Sequence, residues 1–379
     1  MPSPIPIYSL VDEGDQEALK TAIEAAYKAA GSGTRHARTP AQVRAAEESD
    51  TGGIRPGEPI SLTPFEDLIG IEPGVYRQIE AALNSGKQHL MFYGPPGTGK
   101  TTLARRLAGV LNGRNWTLIT GSADWSSQDI IGGYQPVAGG SVQFFPGVLL
   151  RDFDRPLIID ELNRCDIDKV IGPLFTVLAG QATTLPYRLD ASKADSPQFV
   201  ILPEHKEEPA AHEYTPGPAW RLIATINSID KASLYQMSYA LSRRFGWIYV
   251  DAPADTKAFI QTYLEKMMAR EAQAVDTTPP LAAIWDAVNA VRTIGPAPII
   301  DAMRSIDVLS PGADLLAMPD GDLRVAYLDA FDLFMLPLLD GVLRHEAEQI
   351  AARVTAALGL ADDSAEARGV KRRVLSVAV

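Results

Sequence analysis

Two hydrophobic patterns alternate along the middle of the chain. Short, almost continuous apolar runs are followed by longer stretches in which apolar residues return every three or four positions. Such a run is typical of a strand buried on both faces, and the second pattern is typical of an amphipathic helix. The runs lie at residues 89–93, 116–120, 156–159, 221–226 and 246–250. Strands that alternate with helices predict an α/β fold with a parallel five-stranded sheet.

The pattern changes after residue 253, where strand-like runs cease. Helical periodicity then predicts helices at residues 256–270, 280–291, 298–309, 323–336 and 343–358. Before the first strand, residues 12–30 and 41–48 are helix-like, and residues 49–64 have the glycine, proline and charge content of a linker. We therefore expect a small helical extension at residues 1–60, an α/β domain at residues 61–253, and a helical domain with a C-terminal tail at residues 254–379.

A glycine-rich stretch directly follows the first apolar run. Residues 94–101 fit the pattern G-x-x-x-x-G-K-[ST] at every fixed position. The predicted strand before it and helix after it are the setting in which such a loop binds phosphate through backbone N–H groups. An accidental glycine-rich turn is the alternative, and the strand–loop–helix context argues against it. We expect a nucleoside triphosphate to be bound by Gly94, Pro95, Pro96, Gly97, Thr98, Gly99, Lys100, Thr101 and Thr102.

Two carboxylates end the apolar run that begins near residue 156, about sixty residues after Lys100. Asp160 can hold Mg²⁺ together with the Thr101 hydroxyl, because Mg²⁺ prefers oxygen ligands. Glu161 can orient and deprotonate the water that attacks the γ-phosphate. Strands often end in exposed acidic residues, so the pattern is weak alone, but a phosphate loop at this distance favours a catalytic pair.

The composition indicates the class of protein, its compartment and its partners. The 379 residues are 46% hydrophobic, as in ordinary globular proteins, and the single cysteine, Cys165, excludes a disulfide framework. Without a membrane-length apolar run or a signal-peptide pattern, we expect a cytoplasmic protein with no membrane partner. The net charge of −12 argues against broad attraction to nucleic acid. The sequence predicts a solvated basic tail containing Arg368, Lys371, Arg372 and Arg373.

Three longer segments carry a family resemblance. Residues 65–108, FEDLIGIEPGVYRQIEAALNSGKQHLMFYGPPGTGKTTLARRLA, resemble the opening of an AAA+ ATPase module, where the nucleotide base sits near such a lead-in. Residues 158–180, IIDELNRCDIDKVIGPLFTVLAG, are similar to the D-E-x-N-R stretch and helix of McrB-like and MoxR-like ATPases. Residues 225–245, TINSIDKASLYQMSYALSRRF, resemble the McrB-like group most. The resemblance spans roughly residues 65–345 and implies a P-loop NTPase whose C-terminal helices form a lid.

The resemblance also implies roles for residues near the end of the α/β part. Asn227 corresponds to sensor 1, which holds the attacking water; a simple turn-forming asparagine is the alternative. Arg244, with Arg243 as second choice, corresponds to the arginine finger that reaches a neighbouring subunit's nucleotide. A helix-end arginine pair is the alternative. A finger supplied in trans implies a homo-oligomeric ring, which in this family is most often a hexamer.

Two insertions are expected on the same grounds. Residues 132–147 contain two β-prone runs around Gly139 and Gly140 and predict a hairpin. In the resembled branch this hairpin faces a central pore; a purely structural surface hairpin is the alternative. Residues 182–218 resemble a second inserted hairpin and loop, in which Lys206, Glu207 and Glu208 are predicted to be solvated.

Two further expectations concern helices. The helix after Glu161 is predicted to place Val170, Leu174 and Leu178 on one buried face. The resembled family carries a sensor 2 arginine where this chain has Ala297 and Pro298. This is a departure from the family pattern, and Arg304 is the nearest arginine that follows.

The function expected from the resemblance is ATP hydrolysis with Mg²⁺ in a ring. We expect ATP as the nucleotide, because the sequence has no N-K-x-D string of the kind that recognises guanine in GTPases. GTP is the alternative nucleotide, because McrB, a member of the resembled branch, uses it. A McrB-like motor would serve a McrC-like endonuclease, and DNA would be reached through that partner or the ring pore. A MoxR-like ATPase that remodels a client protein, and a nucleotide-gated scaffold with little hydrolysis, are the alternatives.

Overall fold

The computed structural model describes residues 59–227, 242–270 and 276–379. The helices expected at residues 12–30 and 41–48 lie outside these residues. In chain order, the strands are β1 (His89–Gly94), β2 (Thr117–Thr120), β3 (Gly132–Pro136), β4 (Val142–Pro146), β5 (Leu157–Asp160), β6 (Thr183–Arg188), β7 (Gln198–Ile201), β8 (Glu213–Tyr214), β9 (Leu222–Asn227) and β10 (Phe245–Tyr249).

The helices of the described residues follow the periodic stretches. They are α1 (Pro73–Asn84), α2 (Lys100–Asn112), α3 (Ser127–Ile130), α4 (Val148–Arg151), α5 (Ile167–Ile171), α6 (Thr256–Met267), α7 (Pro280–Asn289), α8 (Ala297–Leu309), α9 (Gly321–Phe334), α10 (Arg344–Ala357) and α11 (Ala365–Ser376). Within this part of the chain, each helix is too short or too polar to cross a membrane.

Five strands form one parallel sheet in the order β10-β1-β9-β5-β2. The apolar runs reflect burial on both faces: Leu90 and Phe92 join the core formed with α1 and α2, whereas Met91 joins the core formed with α3, α4 and α5. The predicted α/β class with a parallel five-stranded sheet is thus confirmed. Parallel strands place all their carboxyl ends at one edge, so the segments that follow them meet there.

The C-terminal helices α6 to α11 share a separate core. Trp285 and Tyr327 are fully enclosed in it, and residues from every one of these helices contribute. The sequence placed a solvated basic tail at α11; the segment is a helix packed on this core, but Arg368, Lys371 and Arg372 are exposed, as predicted. Val370 and Val374 are buried in this core, and Arg373 Nε donates to the two carboxylate oxygens of Asp332 at 2.7 and 2.9 Å.

The two insertions contact each other. β3 and β4 form the predicted antiparallel hairpin. In residues 182–218, β6 and β7 pair antiparallel as the predicted second hairpin, and the following loop adds a third strand, β8, parallel to β7. The rings of Phe144 and Phe199 lie 4.5 Å apart, and the Arg188 N–H donates to the Tyr134 hydroxyl at 2.6 Å. The insertions therefore pack as one aromatic unit.

The stretch after Glu161 departs from its prediction as one helix. It consists of α5 flanked by the short 3₁₀ turns Leu162–Arg164, Gly172–Leu174 and Val177–Ala179. Pro173 lacks the N–H that a continuous helix needs. Val170 and Leu174 are buried as expected, but after the break Val177 is buried while Leu178 is only half-buried. Lys206, predicted to be solvated, is exposed but pairs with Glu213 at 2.5 Å.

Candidate nucleotide site

The glycine-rich loop lies at the carboxyl end of β1 and leads into α2. Gly99, just before the helix, has a φ of 86°, which glycine adopts without the strain imposed by a side chain. The loop borders a cleft of about 440 Å³. The loop residues that line it are Pro96, Gly97, Thr98, Gly99, Lys100, Thr101 and Thr102.

Lys100 is held against the loop beside this cleft. Its ammonium donates to the carbonyl oxygens of Gly94 at 3.1 Å and Pro95 at 2.5 Å. Burial lowers the pKa of Lys100 to about 8, an effect that Asp160 and Glu161 partly oppose. Neutral carbonyl groups are weaker partners for an ammonium than an anion is, so a phosphate at the cleft is a favourable partner for this side chain.

A buried hydrogen-bond network joins α2, β5 and β9 beside the loop. Asp160 Oδ1 accepts from the hydroxyl of Thr101 at 2.6 Å and from the hydroxyl of Thr225 at 2.6 Å. Thr225 itself is only 1% exposed. The network therefore fixes the strand-end carboxylate against the first turn of the loop's helix.

Glu161 continues the network with an unusual backbone. Its φ of 51° and ψ of 48° are left-handed, a conformation that costs a residue with a side chain about 1–2 kcal/mol. Its N–H donates to the Thr225 hydroxyl at 3.0 Å, and its carboxylate accepts from Asn227 Nδ2 at 3.1 Å. Arg164 Nε lies 2.5 Å from the other carboxylate oxygen. These contacts hold Glu161 at the cleft, beside Asp160.

The remaining walls of the cleft are mostly apolar. Leu68, Ile69 and Ile71 come from the segment before α1, where the sequence comparison expects the base. The other side is formed by Phe259 and Tyr263 of α6 and by Pro296, Ala297 and Ile300 at the start of α8. An apolar wall beside a few convergent polar groups suits a nucleotide, whose base is flat and whose phosphates are charged.

The two arginines predicted as finger residues lie away from this cleft. They precede β10, whose first residue, Phe245, pairs with His89 at the start of β1, while the loop follows the end of β1. At about 3.3 Å per residue, the length of β1 separates them from their own loop by roughly 16 Å. Among the described residues, the buried Nε of Arg244 has no hydrogen-bond partner; Arg243 is exposed.

Arg304 also stays outside the residues that line the cleft. Its guanidinium lies 5.9 Å from the centroid of the Tyr263 ring, and Tyr263 does line the cleft. Ala297, which the sequence resemblance puts near the sensor 2 position, contributes to the wall directly.

Sequence reasoning missed two residues of the network. Thr225 was detectable as a single polar residue inside the apolar run that forms β9, because a buried hydroxyl requires a partner. Arg164 lies three residues after Glu161, a spacing that brings side chains together on a helical turn. Their actual partners depend on the packing of β5 against β9.

Parts of the chain are similar in sequence to known proteins. The profile of the AAA domain, dynein-related subfamily, matches residues 89–245. The type IV methyl-directed restriction enzyme EcoKMcrB subunit of Escherichia coli (strain K12) is 30% identical over 196 residues, which cover 48% of this chain and 39% of that protein. The Holliday junction branch migration complex subunit RuvB of Desulfosudis oleivorans is 35% identical over 105 residues, or 26% and 29% of the two chains.

The chain thus spans well under half the length of these two relatives. Among solved structures, the RuvB Holliday junction branch migration motor of Thermotoga maritima covers 83% of this chain and 90% of its own, with 17% identity and a TM-score of 0.42. The profile match includes the glycine-rich loop, Asp160, Glu161, Thr225 and Asn227, which meet at the cleft. Residues 89–245 therefore form an AAA domain of the dynein-related subfamily, and the match to the restriction-enzyme subunit supports an AAA+ ATPase of the McrB- and MoxR-like branch.

Proposed function

We propose that the protein binds ATP with Mg²⁺ in the cleft and hydrolyses it. The observation that carries this proposal is the single network in which the Thr101 hydroxyl, Asp160, Thr225, Glu161 and Asn227 are joined at the phosphate loop. A loop that only bound phosphate would not require a second carboxylate with an amide partner beside it. We further propose that residues 61–253 form the nucleotide-binding domain and that residues 254–379 form its lid.

The residues present fit a magnesium ion. The Thr101 hydroxyl and the Asp160 carboxylate are hard oxygen ligands, and they are already 2.6 Å apart at the loop. These two residues would hold the ion directly or through water. Bound Mg²⁺ would neutralise charge on the β- and γ-phosphates.

The other residues have roles that follow from their chemistry. Lys100 can exchange its carbonyl partners for phosphate oxygens, which stabilises the bound triphosphate. Glu161 is the acceptor for the proton of the attacking water, and Asn227, which donates to the Glu161 carboxylate, keeps that carboxylate and the water in place. The geometry supports hydrolysis by a positioned carboxylate.

We also propose that the site is completed by a neighbouring subunit in a ring, most simply a hexamer. Arg244, with Arg243 beside it, lies at the sheet edge opposite the loop and cannot serve the phosphates of its own chain without a large rearrangement. The same position can serve a neighbour's phosphates if subunits associate head to tail, which closes into a ring. The arginine would then stabilise the charge that develops during transfer.

The biological setting we propose is that of a McrB-like motor acting with a partner subunit such as a McrC-like nuclease. The identity to a restriction-enzyme subunit over 48% of this chain supports this over a MoxR-like remodelling ATPase. DNA would be reached through the partner or the ring pore. GTP is the alternative nucleotide to ATP, because the McrB-like group that this chain resembles includes a GTP-using member.

The test is phosphate release by the purified protein with ATP and with GTP, in Mg²⁺, over a range of protein concentrations. Turnover per subunit should rise steeply with concentration, because each complete site needs two subunits. Lys100→Ala should weaken nucleotide binding on the order of 100-fold, since a charged hydrogen bond to phosphate is lost. A wild-type protein that binds neither nucleotide would overturn the proposal.

Other outcomes of this test distinguish the McrB-like setting from its alternatives. Stimulation of turnover or of DNA cleavage by a McrC-like partner would establish the McrB-like setting, whereas stimulation only by a client protein would favour the MoxR-like one. Binding without turnover at every concentration and with every partner tested would contradict hydrolysis and leave a nucleotide-gated scaffold.

A further inference from the structure

The turn between α7 and α8 contacts the phosphate loop through the backbone. The N–H of Gly295 donates to the carbonyl oxygen of Pro96 at 2.8 Å, and the N–H of Ala297 donates to the carbonyl oxygen of Gly97 at 3.1 Å. Two successive residues of the loop are thus bonded to the turn before α8 and to the first residue of α8. Backbone groups cannot be varied by substitution as side chains can, so the contact depends on how closely the two segments approach.

The approach is so close that only glycine fits. A Cβ at Gly295 would lie 2.3 Å from the carbonyl carbon of Gly97 and 2.3 Å from the N atom of Thr98. The φ of Gly295 lies outside the left-handed region, so its conformation would accept other residues. Glycine is required here by the contact with the loop, and any side chain must push the loop and α8 apart.

The turn is also anchored firmly on its other side. Ile294 is fully buried; its N–H donates to Asn289 Oδ1 at 2.9 Å, and its carbonyl oxygen accepts from Trp285 Nε1 at 3.0 Å. Trp285 is itself enclosed in the core of the C-terminal helices. A displacement at Gly295 is therefore transmitted to α7 and α8 rather than absorbed in a loose loop.

In the part of the chain that the structure describes, the hydrogen bonds between the loop and this turn join backbone atoms and involve no charged side chain. The first turn of α8 presents Ala297, Pro298, Ile299 and Ile300, and Arg304 lies over the Tyr263 ring. The direct connection between the phosphate loop and the start of α8 is made by the main chain.

We propose that Gly295 is a positioning residue that couples the phosphate loop to the C-terminal helices. It rests on the proposed nucleotide binding. Phosphates bound by the loop N–H groups fix the loop conformation, and the two backbone hydrogen bonds then fix α8, which forms one wall of the cleft. Nucleotide binding is thereby transmitted to the C-terminal helices by main-chain hydrogen bonds, and not through a charged sensor residue.

The test compares Gly295→Ala with the control Gly109→Ala. Gly109 lies in α2, the helix that follows the loop, and a Cβ there would meet no atom of another segment within 4 Å, so its substitution replaces a glycine without a clash. Gly295→Ala should raise the Kd for Mg-ADP about tenfold or more, the size expected when an added methyl group has no space. Gly109→Ala should bind as the wild type does.

A second readout separates coupling from general damage. At saturating Mg-ADP, amide hydrogen exchange should slow in both α2 and α8 of the wild type and of Gly109→Ala. In Gly295→Ala, saturating nucleotide should still protect α2 but no longer α8. Wild-type Kd together with wild-type protection of α8 would overturn the inference while the proposed function stood. Failure of the wild type to bind any nucleotide would overturn both.

A milder variant decides the question if Gly295→Ala does not fold. Asn289→Ala keeps the glycine but removes the acceptor of the Ile294 N–H, which loosens the turn. It should lose part of the nucleotide-dependent protection of α8 while α2 remains protected. Full protection of α8 in this variant would contradict the proposal.

Discussion

The two edges of the parallel sheet hold polar side chains in different ways. At the carboxyl edge, Asp160 and Asn227 end neighbouring strands, bond to other polar groups and face a cleft. At the opposite edge, β1 begins with His89, which is 5% exposed, accepts from the Leu222 N–H at 3.1 Å and packs its ring 4.8 Å from that of Trp220.

This difference distinguishes polar groups of a binding site from a polar group that only stabilises the fold. Burial lowers the pKa of His89 to about 3, with the charge of Arg221 acting in the same direction, so the imidazole is neutral and its partner is a backbone group. The carboxyl-edge groups face a cleft where a ligand can replace their present partners. Substitution of the polar groups at the carboxyl edge is expected to change nucleotide turnover. Substitution of His89 is expected to change only the free energy of unfolding.

The largest effect should come from the carboxyl edge, at Glu161. Glu161→Gln keeps the size of the side chain and its acceptor for Asn227 but removes the base, so turnover should fall about 100- to 10,000-fold. The Kd for nucleotide should change little, because Lys100 and the loop remain. Phosphate release and nucleotide titration measure the two quantities.

The matched control is Glu348→Gln, which neutralises an exposed glutamate of α10. It should leave turnover unchanged. Undiminished hydrolysis by Glu161→Gln would remove the proposed base and with it the contrast between the two edges.

A smaller effect is expected at Thr225, the buried link of the network. Thr225→Val keeps the volume but leaves the Glu161 N–H without its acceptor, at a cost of about 1–3 kcal/mol in the free energy of unfolding. Turnover should fall about tenfold because the Glu161 carboxylate is less well positioned. Thr225→Ser retains the hydroxyl and should restore turnover, measured by phosphate release, although urea unfolding should still show about 1 kcal/mol of lost stability because a buried methyl group is deleted. Full activity in the valine variant would show that the network is structural, like His89.

The smallest effect concerns the opposite edge and depends on pH. The pKa of His89 is about 3 in the folded protein and about 6.5 in an unfolded chain, so the unfolded state binds the proton first as pH falls. The stability that His89 contributes is complete above pH 6.5 and is lost progressively as pH falls towards 3. By pH 5 the loss amounts to about 2 kcal/mol.

Urea unfolding at pH 7 and pH 5 measures this difference. His89→Asn retains an acceptor for the Leu222 N–H but does not titrate in this range, so its stability should change less between the two pH values. Equal losses in wild type and variant would assign the acid sensitivity to other groups. The wild type and His89→Asn should have the same nucleotide affinity at pH 7.

Much of the fold was predictable because each element depends on a short window of sequence. The five strands, the hairpin around Gly139 and Gly140, and the helices α6 to α10 appear close to their expected positions. Errors occurred where a local pattern was incomplete. Pro173 divides a stretch that was predicted as one helix, and in α11 the charged residues concealed sparse apolar positions such as Val370 and Val374.

The amino-acid sequence by itself determined the fold class, the phosphate loop and the carboxylates Asp160 and Glu161, because these are contiguous patterns. Only the tertiary structure shows that the Thr225 hydroxyl links the Asp160 carboxylate to the Glu161 N–H, and that Gly295 contacts a loop almost two hundred residues earlier in the chain. Such contacts depend on how strands and helices pack over long separations, and no periodicity within a single segment records the distance between two segments. A hydroxyl or a glycine acquires its role from the partner that packing brings to it.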